Sequence, residues 1–282
     1  MIKTSTQLKA LIRNRAAGDS GMAQILLRNY AMERFLERMS LSDYRDNFIL
    51  KGGMLISAVI GTQLRATMDI DTTIRNYPLE IKAVTNIITE IADIPLEDNI
   101  VFRMNDVSSI MEEADYSGVR VAMDAYLDRT RIPLKIDIST GDVITPEAVR
   151  YSYQLMFEER SIAVWTYSME TVLAEKLETI ISRASLNTRM RDYYDVYVLT
   201  KSGINIDMLN LRNALAATSH RRGSELKIQN YQEALLEIQS SNVMKNQWNT
   251  YRQRNSYVGA LDWETILLCT ENICQRIIDG AW

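Results

Sequence analysis

The chain has 282 residues, 46% of them apolar, with 32 Lys and Arg against 36 Asp and Glu for a formal net charge of −4. That mix excludes a disordered or fibrous protein, leaves room for one large domain or two moderate ones, and argues against nonspecific coating of nucleic acid, which needs a basic surface with many phosphate contacts. A single histidine, His220, and two cysteines, Cys269 and Cys274 in one apolar stretch, exclude a His-rich metal centre, a four-ligand zinc site and a disulfide framework built from this chain.

In chain order, the first periodic segment is 22–39, where Ile25, Leu26, Tyr30, Phe35, Leu36 and Met39 recur at helical spacing before Ser40, Ser42 and Asp43 break the pattern. Phe48-Ile49-Leu50, then Gly52-Gly53, then Met54, Leu55, Ala58 and Val59 read as strand, tight turn and helix. Arg65 to Arg75 reads as a second strand, and a helix is expected from Ile81 to about Ala92, followed by a loop with Pro95 and Asp98. Val119–Leu127 and Leu134–Ser139 alternate as strands on either side of a turn at Asp128–Arg131. From Pro146 on, prolines vanish and apolar residues recur every three or four positions, which predicts a mostly helical second half. The expected organisation is therefore α/β over residues 1–150 and helical over 151–282. No run of about 18 apolar residues and no signal-peptide start is present, so a cytoplasmic protein is expected, monomeric by default.

The chemistry gathers on acidic residues. In a strand, side chains alternate between faces, so Asp69, Asp71 and Thr73 share one face and Met68, Ile70 and Ile74 pack on the other. Two carboxylates about 7 Å apart along a strand suit a shared cation. The alternation in Leu134-Lys135-Ile136-Asp137-Ile138 puts Asp137 opposite the apolar set, as a third carboxylate in the same sheet. Three such groups repel unless cations neutralise them, and Mg²⁺ is held by one or two carboxylates plus substrate phosphates. Gly52-Gly53, opening a helix after a strand, would let the backbone approach those phosphates. In the helical half, Val172, Leu173, Leu177, Ile180 and Ile181 form an apolar stripe with Lys176 inside it. Two readings stay open there: an ammonium snorkelling to the surface, or a buried arrangement with Asp192 and Asp195. Arg191, Asp192 and Asp195 also fit a plain helix-start charge pattern with an interhelical ion pair. Tyr193, Tyr194 and Tyr197 read as core, Cys269 and Cys274 as buried thiols, and His220 as a surface residue. Basic candidates for nucleic-acid contact are Lys9, Arg13 and Arg15, the stretch His220–Lys227, and Arg252 with Arg254.

Four motifs fall in order along the chain: Phe48-Ile-Leu-Lys-Gly-Gly-Met54, Arg65-Ala-Thr-Met-Asp-Ile-Asp71, Ala174-Glu-Lys-Leu-Glu-Thr-Ile180 and Arg189-Met-Arg-Asp-Tyr-Tyr-Asp195, preceded by Asn29-Tyr-Ala-Met-Glu-Arg-Phe-Leu36. In that order they resemble the AbiEii/AbiGii toxin family, over most of the chain and thinning after about residue 205. The resemblance implies a DNA polymerase β-like nucleotidyltransferase domain with a mixed sheet, followed by helices, acting as the toxin of a toxin–antitoxin or phage abortive-infection system. It implies a nucleoside triphosphate donor, GTP in the abortive-infection toxins, an RNA acceptor, with tRNA the expected one, and a cognate antitoxin. By motif position, Asp69, Asp71, Lys176 and Asp192 become catalytic residues. Gly52, Gly53, Arg65, Lys176, Arg191 and Asp195 become nucleotide-binding ones. Lys-Gly-Gly stands where polymerase-type relatives often have Gly-Ser, and a carboxylate at Asp137 is less regular in the toxins than in the polymerases.

The mechanism expected from these residues is that Asp69 and Asp71, with Asp137, hold one or two Mg²⁺ ions that bridge the triphosphate. Lys176 would offset phosphate charge. Arg65 either reaches the phosphates or braces the Asp-bearing strand. Two rival readings share the site: nucleotide transfer to a protein hydroxyl, and a non-catalytic toxin that binds the triphosphate and sequesters a partner.

Overall fold

Two side-chain caps start the chain. Thr4 accepts from the Gln7 amide and opens α1 (Ser5–Ala16), and Asp19 accepts from the Met22 amide and opens α2 (Ser20–Leu41). The protein is seen here as a computed structural model, which describes residues 1–61, 65–111 and 117–280. The periodic residues Leu26, Tyr30, Phe35, Leu36 and Met39 are all buried along α2. So are charged neighbours on the same helix: Arg38 donates to both carboxylate oxygens of buried Asp98, at 2.8 Å each. Such a pair is stable only because both oxygens and the guanidinium edge are satisfied together.

The predicted strand, turn and helix appear as β1 (Phe48–Lys51) running directly into α3 (Gly52–Ile60). β2 (Ile70–Ile74) follows, then α4 (Ile81–Ala92), whose Val84, Ile87, Ile88 and Ile91 are buried. Next come β3 (Ile100–Met111), β4 (Ser117–Leu127), β5 (Thr130–Thr140), β6 (Val149–Gln154) and β7 (Ser161–Thr166). Together they make a mixed sheet ordered β3-β4-β5-β2-β1-β7-β6. β2 runs parallel to β5 and β1 parallel to β7, and the other neighbours are antiparallel. One face is apolar by strand alternation, with Val119, Val121, Met123 and Ala125 of β4 and Ile132, Leu134, Ile136 and Ile138 of β5 buried. The helices α2 and α4 pack on β5, β4 and β3. The other face of the central strands is left to Lys51, Asp71, Arg120 and Asp137.

Two expectations are corrected. The second strand is shorter than Arg65–Arg75, because the Ser57 hydroxyl donates to the Arg65 carbonyl at 2.8 Å and ties that stretch to α3 instead of the sheet. Met68 therefore does not pack beside Ile70 and Ile74; it is 43% exposed. The stretch after residue 146 is not helical at first: β6 and β7 pair antiparallel and extend the sheet past β1, burying Tyr153, Ile162 and Val164 at period two. Helical spacing takes over only at Met169.

The chain divides into two compact units, Met1–Asp142 with Val149–Thr166, and Val143–Ala148 with Tyr167–Trp282. The second holds α5 (Met169–Arg183), α6 (Met190–Lys201), α7 (Met208–Arg222), α8 (Glu225–Gln229), α9 (Tyr231–Ser240), α10 (Asn242–Arg254) and α11 (Trp263–Cys274). Ser168 caps α5 by accepting from the Thr171 amide at 3.1 Å. The stripe Val172, Leu173, Leu177, Ile180 and Ile181 is buried as expected, and Tyr193 and Tyr194 pack into core, the former 5.2 Å from the Trp263 ring. Cys269 and Cys274 are buried free thiols, and burial pushes the Cys274 thiol up. His220 is exposed, with Nδ1 2.8 Å from Glu225. Among the described residues no helix is long and apolar enough to cross a membrane.

Candidate active site

Strand register builds the site of the sheet unit. Lys51 pairs with Asp71, Asp71 with Asp137, and Asp137 with Arg120, so these residues form one row across β1, β2, β5 and β4. Directly paired residues on neighbouring strands project from the same face. Two carboxylates thus stand side by side at the centre, where like charges would destabilise the sheet, and a cation flanks them on each side. Arg120 donates Nε to Oδ1 of Asp137 at 2.8 Å and Nη2 to Oδ2 at 2.6 Å. Those hydrogen bonds, with the charges of Asp137, Asp69 and Asp71, push the Arg120 guanidinium further up against its partial burial. On the other flank the Lys51 ammonium lies 2.6 Å from Oδ2 of Asp142, which also accepts from the Ser139 hydroxyl at 2.5 Å.

Asp71 is pressed onto the start of α3. The Gly53 amide donates to its Oδ2 at 3.3 Å, so this amide serves the carboxylate itself, at the helix end where negative charge is favoured. A Cβ on Gly52 would lie 2.2 Å from that oxygen and 2.7 Å from Asp71 Cβ, and Gly52 has φ +64°. A Cβ on Gly53 would meet Thr67 Oγ1 at 2.7 Å and the Arg65 guanidinium at 2.9 Å. Both glycines are therefore needed for close approach, and Gly52 also for its left-handed backbone. Gly52→Ala should lose about 1–2 kcal/mol from the backbone alone, with the clash added, and more than Gly53→Ala, whose obstructions are side-chain ends. Urea unfolding of the two variants gives the ranking; equal midpoints would show that neither the left-handed backbone of Gly52 nor its packing on Asp71 holds in solution.

Arg65 is buried, its guanidinium against Gly53 and donating to the Ala66 carbonyl. That places it as a brace for the loop before β2. Asp69 sits half-buried in a bend one residue ahead of β2, and its carbonyl accepts from Thr67 Oγ1 at 3.3 Å. Asp137 is in the expected sheet beside Asp71, but both of its oxygens are taken by Arg120. Among the described residues no three Asp, Glu, His or Cys side chains converge as a ready-made metal cage.

The helical unit makes its own cluster. Lys176 of α5 reaches Asp192 Oδ1 at 2.7 Å and Asp195 Oδ2 at 2.9 Å on α6, and Arg189 Nε lies 3.1 Å from the other Asp192 oxygen. The Asp192 and Asp195 side chains are 2% and 0% exposed and that of Lys176 11%. Burial alone would lower the Lys176 ammonium; Asp192 and Asp195 outweigh it and hold the ammonium above its ordinary value. The buried Lys–Asp arrangement is thus the one that forms. Arg191 stands half-buried on α6.

Sequence reasoning missed Arg120 and Asp142, and passed over Lys51 and Arg189 although both lie within quoted motifs. Arg120 had a signal: it faces away from Val119 and Val121 on a strand whose other face is apolar. Which carboxylate it meets depends on register.

A family model described as Nucleotidyl transferase AbiEii toxin, Type IV TA system, matches residues 34–268, a span holding every residue of both clusters. No curated protein matches the chain. Among solved structures, JHP933 from Helicobacter pylori is similar with a TM-score of 0.53 at 14% identity, over 91% of this chain and 93% of that one. A candidate nucleotidyltransferase from H. pylori has a TM-score of 0.51 at 16% identity, over 90% and 95%. At these identities the likeness is one of fold.

Proposed function

We propose, from the premise that this chain belongs to the AbiEii nucleotidyl transferase toxin family of type IV toxin–antitoxin systems, that it transfers a nucleoside monophosphate from a nucleoside triphosphate, GTP foremost, to an RNA acceptor, tRNA foremost. In this reading it acts in the cytoplasm, arrests growth during phage infection and is countered by a cognate antitoxin. The observation that carries the reading is Asp71, pressed on the Gly52-Gly53 helix start with Asp69 two residues before it and Asp137 in register beside it.

The donor chemistry fits Mg²⁺, a hard cation bound by oxygen and held in nucleotide enzymes by one or two carboxylates with substrate phosphates. Asp69 and Asp71 would hold it, and phosphate oxygens would complete its surroundings. When bound, the ion supplies charge stabilisation for the triphosphate and the departing pyrophosphate. The remaining work falls to the chain's own groups. Gly52 keeps the backbone clear of Asp71, Arg65 and Thr67 fix the loop that carries Asp69, and Lys51 and Arg120 balance the carboxylates. Lys176, kept charged by Asp192 and Asp195, would offset charge on the phosphates.

The test is to incubate the protein with total bacterial RNA, Mg²⁺ and each nucleoside triphosphate labelled at the α-phosphate in turn. Label in the RNA fraction is expected, strongest with GTP. Label in protein would replace RNA by a protein hydroxyl as acceptor, and nucleotide binding without any label would leave a toxin that acts by sequestration.

A further inference from the structure

Of the two cations that flank the carboxylate row, one is largely shielded from solvent and the other is open to it. Lys51 is held by Asp142, which Ser139 holds in turn, and its side chain is only 17% exposed. Arg120 is 42% exposed at its side chain and grips Asp137 from the neighbouring strand β4. Guanidinium and carboxylate match edge to edge, so the pair occupies one lone pair on each Asp137 oxygen and fixes the direction in which the carboxylate faces. At the same time Arg120 feels the charges of Asp69 and Asp71.

We propose that Arg120 is the resident counter-cation of the carboxylate row, a positioning residue that holds Asp137 while no divalent cation is bound and competes with that cation for the row. The proposal rests on the reading of Asp69 and Asp71 as cation ligands. A divalent ion arriving at those carboxylates brings the positive charge that Arg120 otherwise supplies. The attraction holding Arg120 would then be reduced, and the Asp137 carboxylate would be less tightly bound to it. Removing Arg120 leaves three carboxylates with less compensation, which raises the affinity of the row for a cation and makes the fold lean on it.

A second cross-strand pair serves as control. Arg131 on β5 lies 2.8 Å from Asp124 on β4, in the same hairpin but outside the row, with the Asp124 side chain 2% exposed. The experiment compares the full chain with Arg120→Gln, Arg120→Lys and Arg131→Gln, all freed of metal by chelation. Thermal unfolding is measured with and without Mg²⁺, and Mn²⁺ binding is measured by calorimetry.

Arg120→Gln should unfold at a lower temperature than the parent without metal, gain more from Mg²⁺ than the parent does, and bind Mn²⁺ about threefold more tightly, the scale of one part-exposed ion pair. Arg120→Lys, which keeps the charge and loses the paired geometry, should fall between. Arg131→Gln should lose stability yet keep the parent's response to both ions. If the glutamine variant does not fold, the lysine variant carries the comparison with a smaller shift.

Equal cation responses in the parent and the Arg120 variants would overturn the proposal while leaving Asp69 and Asp71 as ligands. An enhanced response in Arg131→Gln equal to that of Arg120→Gln would overturn it too, by showing a general effect of weakening the hairpin. No response to either ion in any protein would overturn both the proposal and the cation reading beneath it.

Discussion

Asp71→Ala should lower nucleotidyl transfer by about a thousandfold or more, because a metal-bound transition state owes several kcal/mol to the ion and each tenfold in rate is about 1.4 kcal/mol. The fold should tolerate the change. Asp71 stands beside Asp137 in register, so removing it relieves a like-charge contact, and the hydrogen bond lost is a single 3.3 Å contact from the Gly53 amide. The net change in stability should stay within about 1 kcal/mol, as for substitutions that neither open a core cavity nor strand a buried charge. Asp71→Asn sharpens the test: its side-chain oxygen can still accept from Gly53, and only the charge is gone. If asparagine loses transfer as fully as alanine, the charge is the operative feature, as cation binding requires. If asparagine keeps transfer, Asp71 only shapes the start of α3. Rates come from the labelled-nucleotide assay and stabilities from urea unfolding of the same preparations.

The parts of the two clusters that could be read in advance were those whose meaning is local. Asp69-x-Asp71 and Gly52-Gly53 are short spacings along the chain, and a strand or a helix start turns them into geometry without help from elsewhere. Lys176 was visible for a similar reason, as a charge inside an apolar helical stripe, and the structure supplies the two carboxylates that a buried ammonium needs. Arg120 and Asp137 are different. They meet because β4 and β5 turn tightly through Asp128, at φ +52°, with Leu127 opposite Thr130, and that register carries Arg120 to Asp137 seven pairs further along. A shift of one residue would have turned Arg120 to the apolar face.

Fold-level misses follow the same division. β6 and β7 are six residues each, short enough for Ile162 and Val164 to be absorbed into an apparent three-and-four spacing, and only pairing with β1 distinguishes them. The edge strand β3 mixes polar and apolar residues, so no clean alternation marks it in the sequence. Met68 falls outside the alternation because the sheet engages the chain only from Ile70, with Arg65 tied to α3 instead.

Lys176→Met should destabilise the helical unit by about 3–5 kcal/mol, the cost of leaving buried carboxylates without their counter-charge. Asp192 and Asp195 lie three positions apart on one helix, are almost wholly buried, and share one ammonium. Without it their negative charges repel, with Arg189 Nε 3.1 Å from Asp192 the cation left beside that acid. Unfolding in urea measures the loss, and removing the two acids as well decides whether charge or packing is behind it. The triple variant Lys176→Met, Asp192→Asn, Asp195→Asn then separates structure from chemistry. Replacing a whole buried ion cluster with neutral groups of similar shape is often close to neutral for stability, so the triple variant should recover most of what the single one loses. If the cluster serves only the fold, nucleotidyl transfer should return with stability. If the ammonium binds phosphate, the protein will be stable and inactive, and that is the outcome expected from a lysine kept charged at the expense of two buried acids.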